Sequence, residues 1–298
     1  MNRLHVPLFL LFLSITSSLQ AEPIKISHQG LTLNAELAKV GDDWTRGPVV
    51  LMTHGTLAHS GMEIMKGLQD MLVSRDISSL AINLSLGLDN RDSAMYECAT
   101  PHNHTHADAV GEIGAWLEWL KSQGAEQIAL LGHSRGGNQT AWFAAERPAA
   151  GFTHVFLVAP GGWDTEHEAE HYQERYGKDL QPVMKQAQDL VAAGKGDQLI
   201  QPLDFIYCEQ TAASASAILG YYGAAQLRNS AELLPKIKAP VVVFVGSEDK
   251  VLADLAEKME PLADGDQIQM EILEGADHFF RDLYSEDIAD MIAESLEQ

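Results

Sequence analysis

The sequence predicts an α/β fold in which helices cover both faces of a mainly parallel β-sheet. Short apolar runs alternate along the chain with segments whose apolar residues recur at helical spacing, and this alternation favours right-handed crossovers between parallel strands. Several runs are continuously apolar, as in residues 48–53 (PVVLMT) and 241–246 (VVVFVG), which is typical of strands buried on both faces. A chain of 298 residues, 46% of them hydrophobic, is long enough to build one large domain around such a sheet.

Eight apolar runs are predicted as strands, and the segments between most of them as helices. The first two strands flank a turn at Gln29-Gly30. The helix over residues 106–122 has the clearest pattern, because its apolar residues fall on one face. The predicted strands are residues 24–26, 31–40, 48–53, 79–84, 127–132, 154–159, 241–246 and 267–273, and the predicted covering helices are residues 62–74, 106–122, 136–146 and 281–296.

One long segment interrupts this alternation. Residues 162–240 contain helical patterns over residues 166–176, 180–193 and 210–222, and no strand is predicted among them. The segment follows the strand at residues 154–159, and ligands of α/β sheets bind beyond the carboxyl ends of the strands. We therefore expect a helical cap insertion over about residues 162–239, within a single domain that spans residues 22–298.

The first residues have the order of a secretory signal peptide. Arg3 is followed by an apolar run over residues 6–15 (VPLFLLFLSI), and the small residue Ala21 precedes Glu22-Pro23. The run is too short for a membrane-spanning helix, which needs about 20 residues. We expect residues 1–21 to be removed by cleavage after Ala21, and the mature protein to be exported to the periplasm or the medium. The alternative is a buried N-terminal helix.

The net charge of −22 bears on the partners. Such a field disfavours nucleic acids and anionic membrane surfaces, so we expect no nucleic-acid partner and no stable membrane association. Neutral or cationic small molecules are more compatible with this charge, although the charge is also typical of a protein that only needs to be soluble. The oligomeric state is left open by the sequence.

The two cysteines, Cys98 and Cys208, both lie in the part predicted to be exported. In an oxidising compartment they have only each other as an intramolecular disulfide partner. Two buried free thiols are the alternative. Neither cysteine has the neighbours of a catalytic nucleophile.

A candidate nucleophile lies where a buried strand gives way to a helix. Gly132-His133-Ser134-Arg135-Gly136 matches the pattern G-x-S-x-G, and a sharp turn there would hold the Ser134 hydroxyl above the sheet in a strained backbone conformation. Gly132 and Gly136 are expected because side chains at these positions would collide across the turn. The alternative is an ordinary serine in a glycine-rich turn.

Further candidates follow other strands. His54-Gly55-Thr56 follows the strand at residues 48–53, so the backbone N–H groups of Thr56 and Arg135 are the expected donors to an oxyanion. His54 is expected to support this loop and is a candidate for substrate contact, but it is not the expected base.

The candidate base and its acid lie further along the chain. His278 follows the strand at residues 267–273, and Asp249 follows the strand at residues 241–246. The chain order of serine, aspartate and histidine is that of one class of serine hydrolases. Glu248 and Asp277 compete with Asp249, although Asp277 is adjacent to His278 and would hardly reach its ring.

Three alternating histidines form a separate group. His102, His104 and His106 lie in residues 101–106 (PHNHTH), after the strand at residues 79–84. A segment with this spacing can bind a metal ion, but it is more often a polar loop before a helix. We expect no metal, and we consider His102 and His104 as candidates for contact with the substrate at the rim of the site.

Four motifs together resemble those of the α/β-hydrolase superfamily, and more closely its capped, esterase-like bacterial members. They are residues 52–56 (MTHGT), 132–137 (GHSRGG), 240–251 (PVVVFVGSEDKV) and 275–280 (GADHFF), and the resemblance spans roughly residues 48–296. The resemblance implies a mostly parallel sheet of eight strands and a catalytic triad of Ser134, His278 and Asp249 that acts through an acyl-enzyme. It implies no metal or organic cofactor.

The expected function is hydrolysis of a carboxylic ester in a small-molecule acyl substrate. Thioesters and amides are cleaved by the same machinery, so a thioesterase or an amidase is an alternative. A catalytically silent exported binding protein on the same fold is a further alternative, although members of that kind usually lack one residue of the triad.

Overall fold

The computed structural model of the protein describes residues 21–162, 165–223 and 228–297. The predicted signal peptide, residues 1–21, lies outside the described residues except for Ala21. The described strands are β1 (Glu22–His28), β2 (Leu31–Ala38), β3 (Val49–Thr53), β4 (Ser78–Asn83), β5 (Ile128–His133), β6 (Val155–Val158), β7 (Leu199–Phe205), β8 (Cys208–Ser214), β9 (Val241–Gly246) and β10 (Ile268–Leu273).

Eight of these strands form one sheet in the order β1-β2-β4-β3-β5-β6-β9-β10. Only β2 runs antiparallel to its neighbours β1 and β4, and the other pairings are parallel. Strands β3, β4, β5, β6 and β9 are buried along their whole length, as their continuous apolar sequences predict. The mostly parallel sheet of eight strands is therefore confirmed.

Helices cover both faces of this sheet. Helix α1 packs against α9 in one layer, and α2 packs against α3 in the other. On α2, the predicted apolar stripe from Ala109 to Leu120 is buried, so this face anchors the helix to the sheet. The described helices are α1 (Glu63–Val73), α2 (Asp108–Ser122), α3 (Arg135–Glu146), α4 (Thr165–Tyr176), α5 (Gln181–Ala192), α6 (Ala215–Tyr222), α7 (Ser230–Leu233), α8 (Leu255–Met259) and α9 (Leu283–Leu296), with 3₁₀ turns at Leu234–Lys236 and Glu260–Leu262.

The insertion between β6 and β9 is not purely helical, which corrects the prediction. It contains helices α4 to α7, but also an antiparallel hairpin of β7 and β8. The helix predicted over residues 210–222 begins only at Ala215, because the Ser214 hydroxyl accepts the backbone N–H of Ala217 and caps α6 there. The preceding residues pair as strand β8 instead.

The hairpin is attached to the loop between β4 and α2. Cys98 and Cys208 form a disulfide with a sulfur–sulfur distance of 2.05 Å, which confirms the predicted pairing and removes the alternative of free thiols. Beside it, the backbone N–H of His102 donates to Ala212 O, and the N–H of Ser214 donates to His102 O. In the described part of the chain, no helix combines the length and the apolar character needed to cross a bilayer.

Candidate active site

Ser134 lies in the tight turn between β5 and α3. Its φ of 56° and ψ of −122° are strained for a residue with a side chain. A Cβ atom on Gly132 would collide with the backbone of Gly136 and with the Thr140 hydroxyl, and one on Gly136 would collide with the carbonyl oxygens of residues 53 and 54. Both positions therefore need glycine, and the turn has the geometry that the sequence predicts.

A continuous chain of hydrogen bonds starts at this serine. The Ser134 Oγ is 3.0 Å from His278 Nε2, and His278 Nδ1 is 2.7 Å from Asp249 Oδ2. The two competing carboxylates are exposed, and Asp277 accepts the backbone N–H of Phe279 instead. The structure thus brings Ser134, His278 and Asp249 together, and it places Glu248 and Asp277 outside this chain of contacts.

The Asp249 carboxylate is held in its charged form. Burial alone would raise its pKa, but the hydrogen bonds from His278 and from the backbone N–H groups of Leu252 and Val251 outweigh this effect and keep the pKa below its ordinary value. A fixed carboxylate at this place orients the imidazole of His278 and stabilises it when it becomes protonated.

His133 supports His278 from the neighbouring strand. Its Nε2 donates to the backbone carbonyl of His278 over 2.8 Å. Burial lowers the pKa of His133 to about 4, so the ring is neutral at physiological pH. This role could not be predicted from the sequence, because the residue before the serine in G-x-S-x-G can be of any type.

His54 supports the loop on which the first oxyanion donor is expected. Its Nε2 accepts the backbone N–H of Leu84 over 3.1 Å, so Nδ1 carries the proton and donates to Gly55 O over 2.9 Å. Burial lowers the pKa of His54 to about 3. The ring therefore stays neutral and ties the loop to β4, while its edge also lines the cavity described below.

Arg135 connects the turn to the same loop. Its Nε donates to Thr56 Oγ1 over 3.0 Å, and its NH1 donates to His106 Nδ1 over 3.1 Å. Burial and the charge of Arg135 lower the pKa of His106 to about 3, so His106 is a neutral acceptor, and its Nε2 donates to Asn138 Oδ1 over 2.9 Å. The backbone N–H of Arg135 lies in the first turn of α3, directly after Ser134.

The other two alternating histidines lie away from the site, which corrects the expectation that they contact the substrate. His102 and His104 are 0% and 1% exposed and do not line the cavity that contains Ser134. His102 Nδ1 is 3.2 Å from His104 Nε2, and His104 Nδ1 is 2.7 Å from Tyr221 Oη. Within the described residues, no group of three or more histidine, cysteine or acidic side chains is arranged to hold a metal ion.

A cavity of about 750 Å³ lies over Ser134, between the sheet edge and the insertion. Ser134, His278, Thr56 and Arg135 form its floor. Apolar and aromatic side chains dominate its walls, and four charged residues also contribute. The walls include Met95, Glu168, Tyr172, Glu174, Arg175, Tyr176, Ile206, Tyr207, Tyr222, Lys250, Val251 and Phe279.

A comparison with known proteins assigns the chain to a family. The sequence model of the alpha/beta hydrolase family matches residues 49–291 of this chain. The chain belongs to this family. The resemblance that the four motifs indicate is thereby confirmed, and the protein is a hydrolase.

Solved structures similar to this hydrolase share its fold. Est1E from Butyrivibrio proteoclasticus superposes with a TM-score of 0.67 at 16% sequence identity, over 93% of this chain and 99% of that one. The monoacylglycerol lipase of Paleococcus ferrophilus gives a TM-score of 0.59 at 19% identity, over 89% and 98% of the two chains. At these identities the likeness extends to the fold alone.

One curated relative matches part of the hydrolase. It is a probable 1-acylglycerol-3-phosphate O-acyltransferase from Oryza sativa subsp. japonica, and it is 30% identical over 131 residues. These residues make up 43% of this chain and 30% of the rice protein, so the chain spans less than a third of that relative's length.

Proposed function

We propose that this hydrolase cleaves a carboxylic ester in a small-molecule substrate through an acyl-enzyme on Ser134. The observation that carries the proposal is the unbroken chain from Ser134 through His278 to Asp249 at the floor of a cavity large enough for a substrate. A serine hydroxyl is a weak nucleophile, and an adjacent, oriented base is what activates it.

The reaction has two halves. In the first half, His278 takes the proton of Ser134 as its oxygen attacks the ester carbonyl, and the N–H groups of Thr56 and Arg135 stabilise the resulting oxyanion. The intermediate then collapses and the alcohol leaves with the proton from His278. In the second half, His278 deprotonates a water molecule that attacks the acyl-enzyme, and the carboxylic acid is released as Ser134 regains its proton.

The chemistry of the relatives supports an acyl substrate. Est1E has been solved with ferulic acid bound, and the protein from Paleococcus ferrophilus is described as a monoacylglycerol lipase. The rice relative is described as a probable 1-acylglycerol-3-phosphate O-acyltransferase, whose named reaction also moves an acyl group. Thioester and amide cleavage use the same triad and are the alternatives within this proposal.

A fluorophosphonate probe tests the nucleophile. We expect one label per chain, on the peptide that contains Ser134, and loss of p-nitrophenyl ester hydrolysis in the same step. Ser134→Ala should abolish labelling and reduce kcat by on the order of 10⁵- to 10⁶-fold. Ser122→Ala is the matched control, because Ser122 is exposed at the end of α2 and its hydroxyl contacts only the carbonyl oxygen of Trp119 and the neighbouring side chain of Gln123. An unlabelled wild-type protein would favour the silent binding protein instead.

We further propose that the protein is exported with loss of residues 1–21. The disulfide between Cys98 and Cys208 is compatible with an oxidising compartment. N-terminal sequencing of protein recovered from outside the cytoplasm should begin at Glu22. A mature protein that starts at Met1 would contradict this proposal.

A further inference from the structure

The turn between β7 and β8 has an unusual backbone. It consists of Ile206 and Tyr207 alone, because Phe205 already pairs with Cys208. The φ angles of Ile206 and Tyr207 are 42° and 70°. Two-residue turns of this kind normally carry asparagine and glycine, whereas a β-branched residue is strongly disfavoured at positive φ. Such a conformation persists only where the surrounding structure imposes it, and strain of this kind is concentrated at functional sites.

Two tyrosines and the disulfide impose this conformation. The backbone N–H of Ile206 donates to Tyr222 Oη over 3.0 Å, and the N–H of Tyr207 donates to Tyr176 Oη over 2.9 Å. Cys208, directly after the turn, is bonded to Cys98. The turn is thus held by one helix on each side, α4 and α6, and by a covalent link to the loop between β4 and α2.

The turn faces the cavity above Ser134. Ile206 and Tyr207 both line it. Tyr207 is 50% exposed, and the guanidinium carbon of Arg175 lies 4.1 Å from the centre of its ring. Met95 lines the same cavity, is 54% exposed, and lies three residues before Cys98. The disulfide therefore joins two half-exposed apolar parts of one cavity wall.

The remaining exposed apolar side chains of the cavity extend this surface. Val251 and Phe279 are also exposed and line the cavity. We call Met95, Tyr207, Val251 and Phe279 the cavity mouth. Large apolar side chains that are exposed together beside a catalytic cavity mark a surface for an apolar ligand.

The hydroxyl groups nearby are already occupied. Tyr172 Oη donates to the carbonyl oxygen of Asp204, while the hydroxyls of Tyr176 and Tyr222 accept from the turn. These tyrosines therefore offer the cavity their rings, with their hydroxyl groups bound to backbone atoms. Aromatic rings whose hydroxyl groups are directed at backbone atoms present mainly apolar surface to a ligand.

We propose that the Ile206–Tyr207 turn is a specificity-determining subsite that binds the apolar group of the ester substrate, and that Tyr176 and Tyr222 position it. The proposal rests on the ester hydrolysis proposed above. The apolar group belongs either to the acyl part or to the alcohol part of the ester. Both are hydrocarbon chains, and they make the same contact with Tyr207 and the cavity mouth.

Two ester series test this subsite. One series varies the acyl chain of p-nitrophenyl esters from acetate to decanoate, and the other varies the alkyl alcohol of acetate esters. The measured quantity is the chain-length ratio, which is kcat/KM for the longest ester divided by kcat/KM for the shortest. Tyr207→Ala should lower this ratio by about tenfold in one of the two series, because the loss of an aromatic contact is worth about that much. The series that responds identifies the part of the ester bound there.

Separate variants test the positioning role of Tyr176 and Tyr222. Tyr176→Phe and Tyr222→Phe keep the rings but remove the acceptors of the strained turn, so each should lower the same ratio, through a higher KM for the long ester. Tyr284→Phe, in α9 and outside the cavity, is the control for loss of a tyrosine hydroxyl and should leave the ratio unchanged. All rates are expressed per site labelled by fluorophosphonate, so a variant that only folds poorly does not change the ratio.

The results separate the two proposals. If wild-type Ser134 is not labelled, the proposed ester hydrolysis fails. If Ser134 is labelled but Tyr207→Ala keeps the wild-type ratio in both series, the hydrolase stands and the subsite is refuted. If Tyr207→Ala lowers the ratio while Tyr176→Phe and Tyr222→Phe do not, the positioning role of the two tyrosines is refuted.

Discussion

Arg135 acts through two different parts of its structure. Its backbone N–H is an expected oxyanion donor, and its side chain bonds the hydroxyl of Thr56, whose backbone N–H is the other expected donor. The guanidinium also lies 5.2 Å from the ring centre of Tyr221 in the insertion. One residue thus links the two expected donors, and an oxyanion site depends on donors that are fixed before the reaction.

The contact between Arg135 and Thr56 should therefore matter mainly in the transition state. We expect Arg135→Gln to lower kcat by roughly 10- to 100-fold with a smaller change in KM, because the oxyanion develops only after attack. Thr56→Val should have a similar effect. Steady-state kinetics on a p-nitrophenyl ester measure both variants.

A double-mutant cycle decides whether the contact itself is responsible. If it is, the combined variant of Arg135 and Thr56 should be little worse than either single variant. Arg147→Gln is the matched control, because Arg147 is exposed at the other end of α3. Strictly additive losses in kcat would mean that the two residues act independently.

The individual residues of the site were predictable to different degrees. Ser134, Asp249 and His278 each follow a buried apolar run, and parallel strands bring their carboxyl ends to one edge. The side-chain role of Arg135 was not predictable, because nothing in the motif specifies that position. His102 and His104 were misjudged because alternating histidines look the same in a rim loop and in a buried cluster.

At the scale of elements, continuous apolar runs were the reliable signal. Strands β3, β5 and β9 lie close to their predicted bounds, because a strand buried on both faces leaves no polar positions. The hairpin of β7 and β8 lacked such a signal. The sequence of β8, CEQTAAS, is small and polar, and its pairing depends on β7, on the backbone of His102 and on the disulfide.

The disulfide should contribute substantially to stability. It links residues 110 positions apart, and closing a long loop restricts the unfolded chain. We expect the double variant Cys98→Ser, Cys208→Ser to lower the free energy of unfolding by about 2–4 kcal/mol. Urea denaturation followed by circular dichroism measures this difference.

Reductant provides the control for this variant. A reducing agent should shift the urea midpoint of the wild-type protein toward that of the double variant, and it should leave the double variant unchanged. Equal midpoints for oxidised and reduced wild-type protein would show that the bridge does not restrict the unfolded chain to this extent.

At the scale of the whole molecule, the buried histidines together make the stability of the protein sensitive to acid. Burial is the main cause that lowers the pKa values of five of them: His54 and His106 to about 3, His102 and His133 to about 4, and His104 well below its ordinary value. They lie around the oxyanion loop, the base and the attachment of the insertion. The same packing that holds the site together thus keeps these rings uncharged.

Glu112 responds in the opposite sense. Burial raises its pKa to about 7, against the hydrogen bonds that it accepts from the N–H and hydroxyl of Ser85. In the unfolded chain a glutamate ionises near pH 4.3. The folded protein therefore holds the Glu112 proton more tightly than the unfolded chain does. The stabilisation that Glu112 contributes is complete below about pH 4.3, and it is lost as the pH rises toward 7.

The histidines should prevail, and the protein should lose stability as the pH falls below about 6.5. In the unfolded chain they are protonated below that pH, while in the folded protein they stay neutral, so unfolding takes up protons. With five histidines acting against one glutamate, the free energy of unfolding should change with pH by on the order of 4 kcal/mol per pH unit near pH 5.5. Urea denaturation at pH 7 and at pH 5.5 measures it. His106→Gln should reduce the number of protons taken up on unfolding by about one, and with it the slope. A stability that is flat or rises on acidification would mean that these rings are already charged in the folded protein.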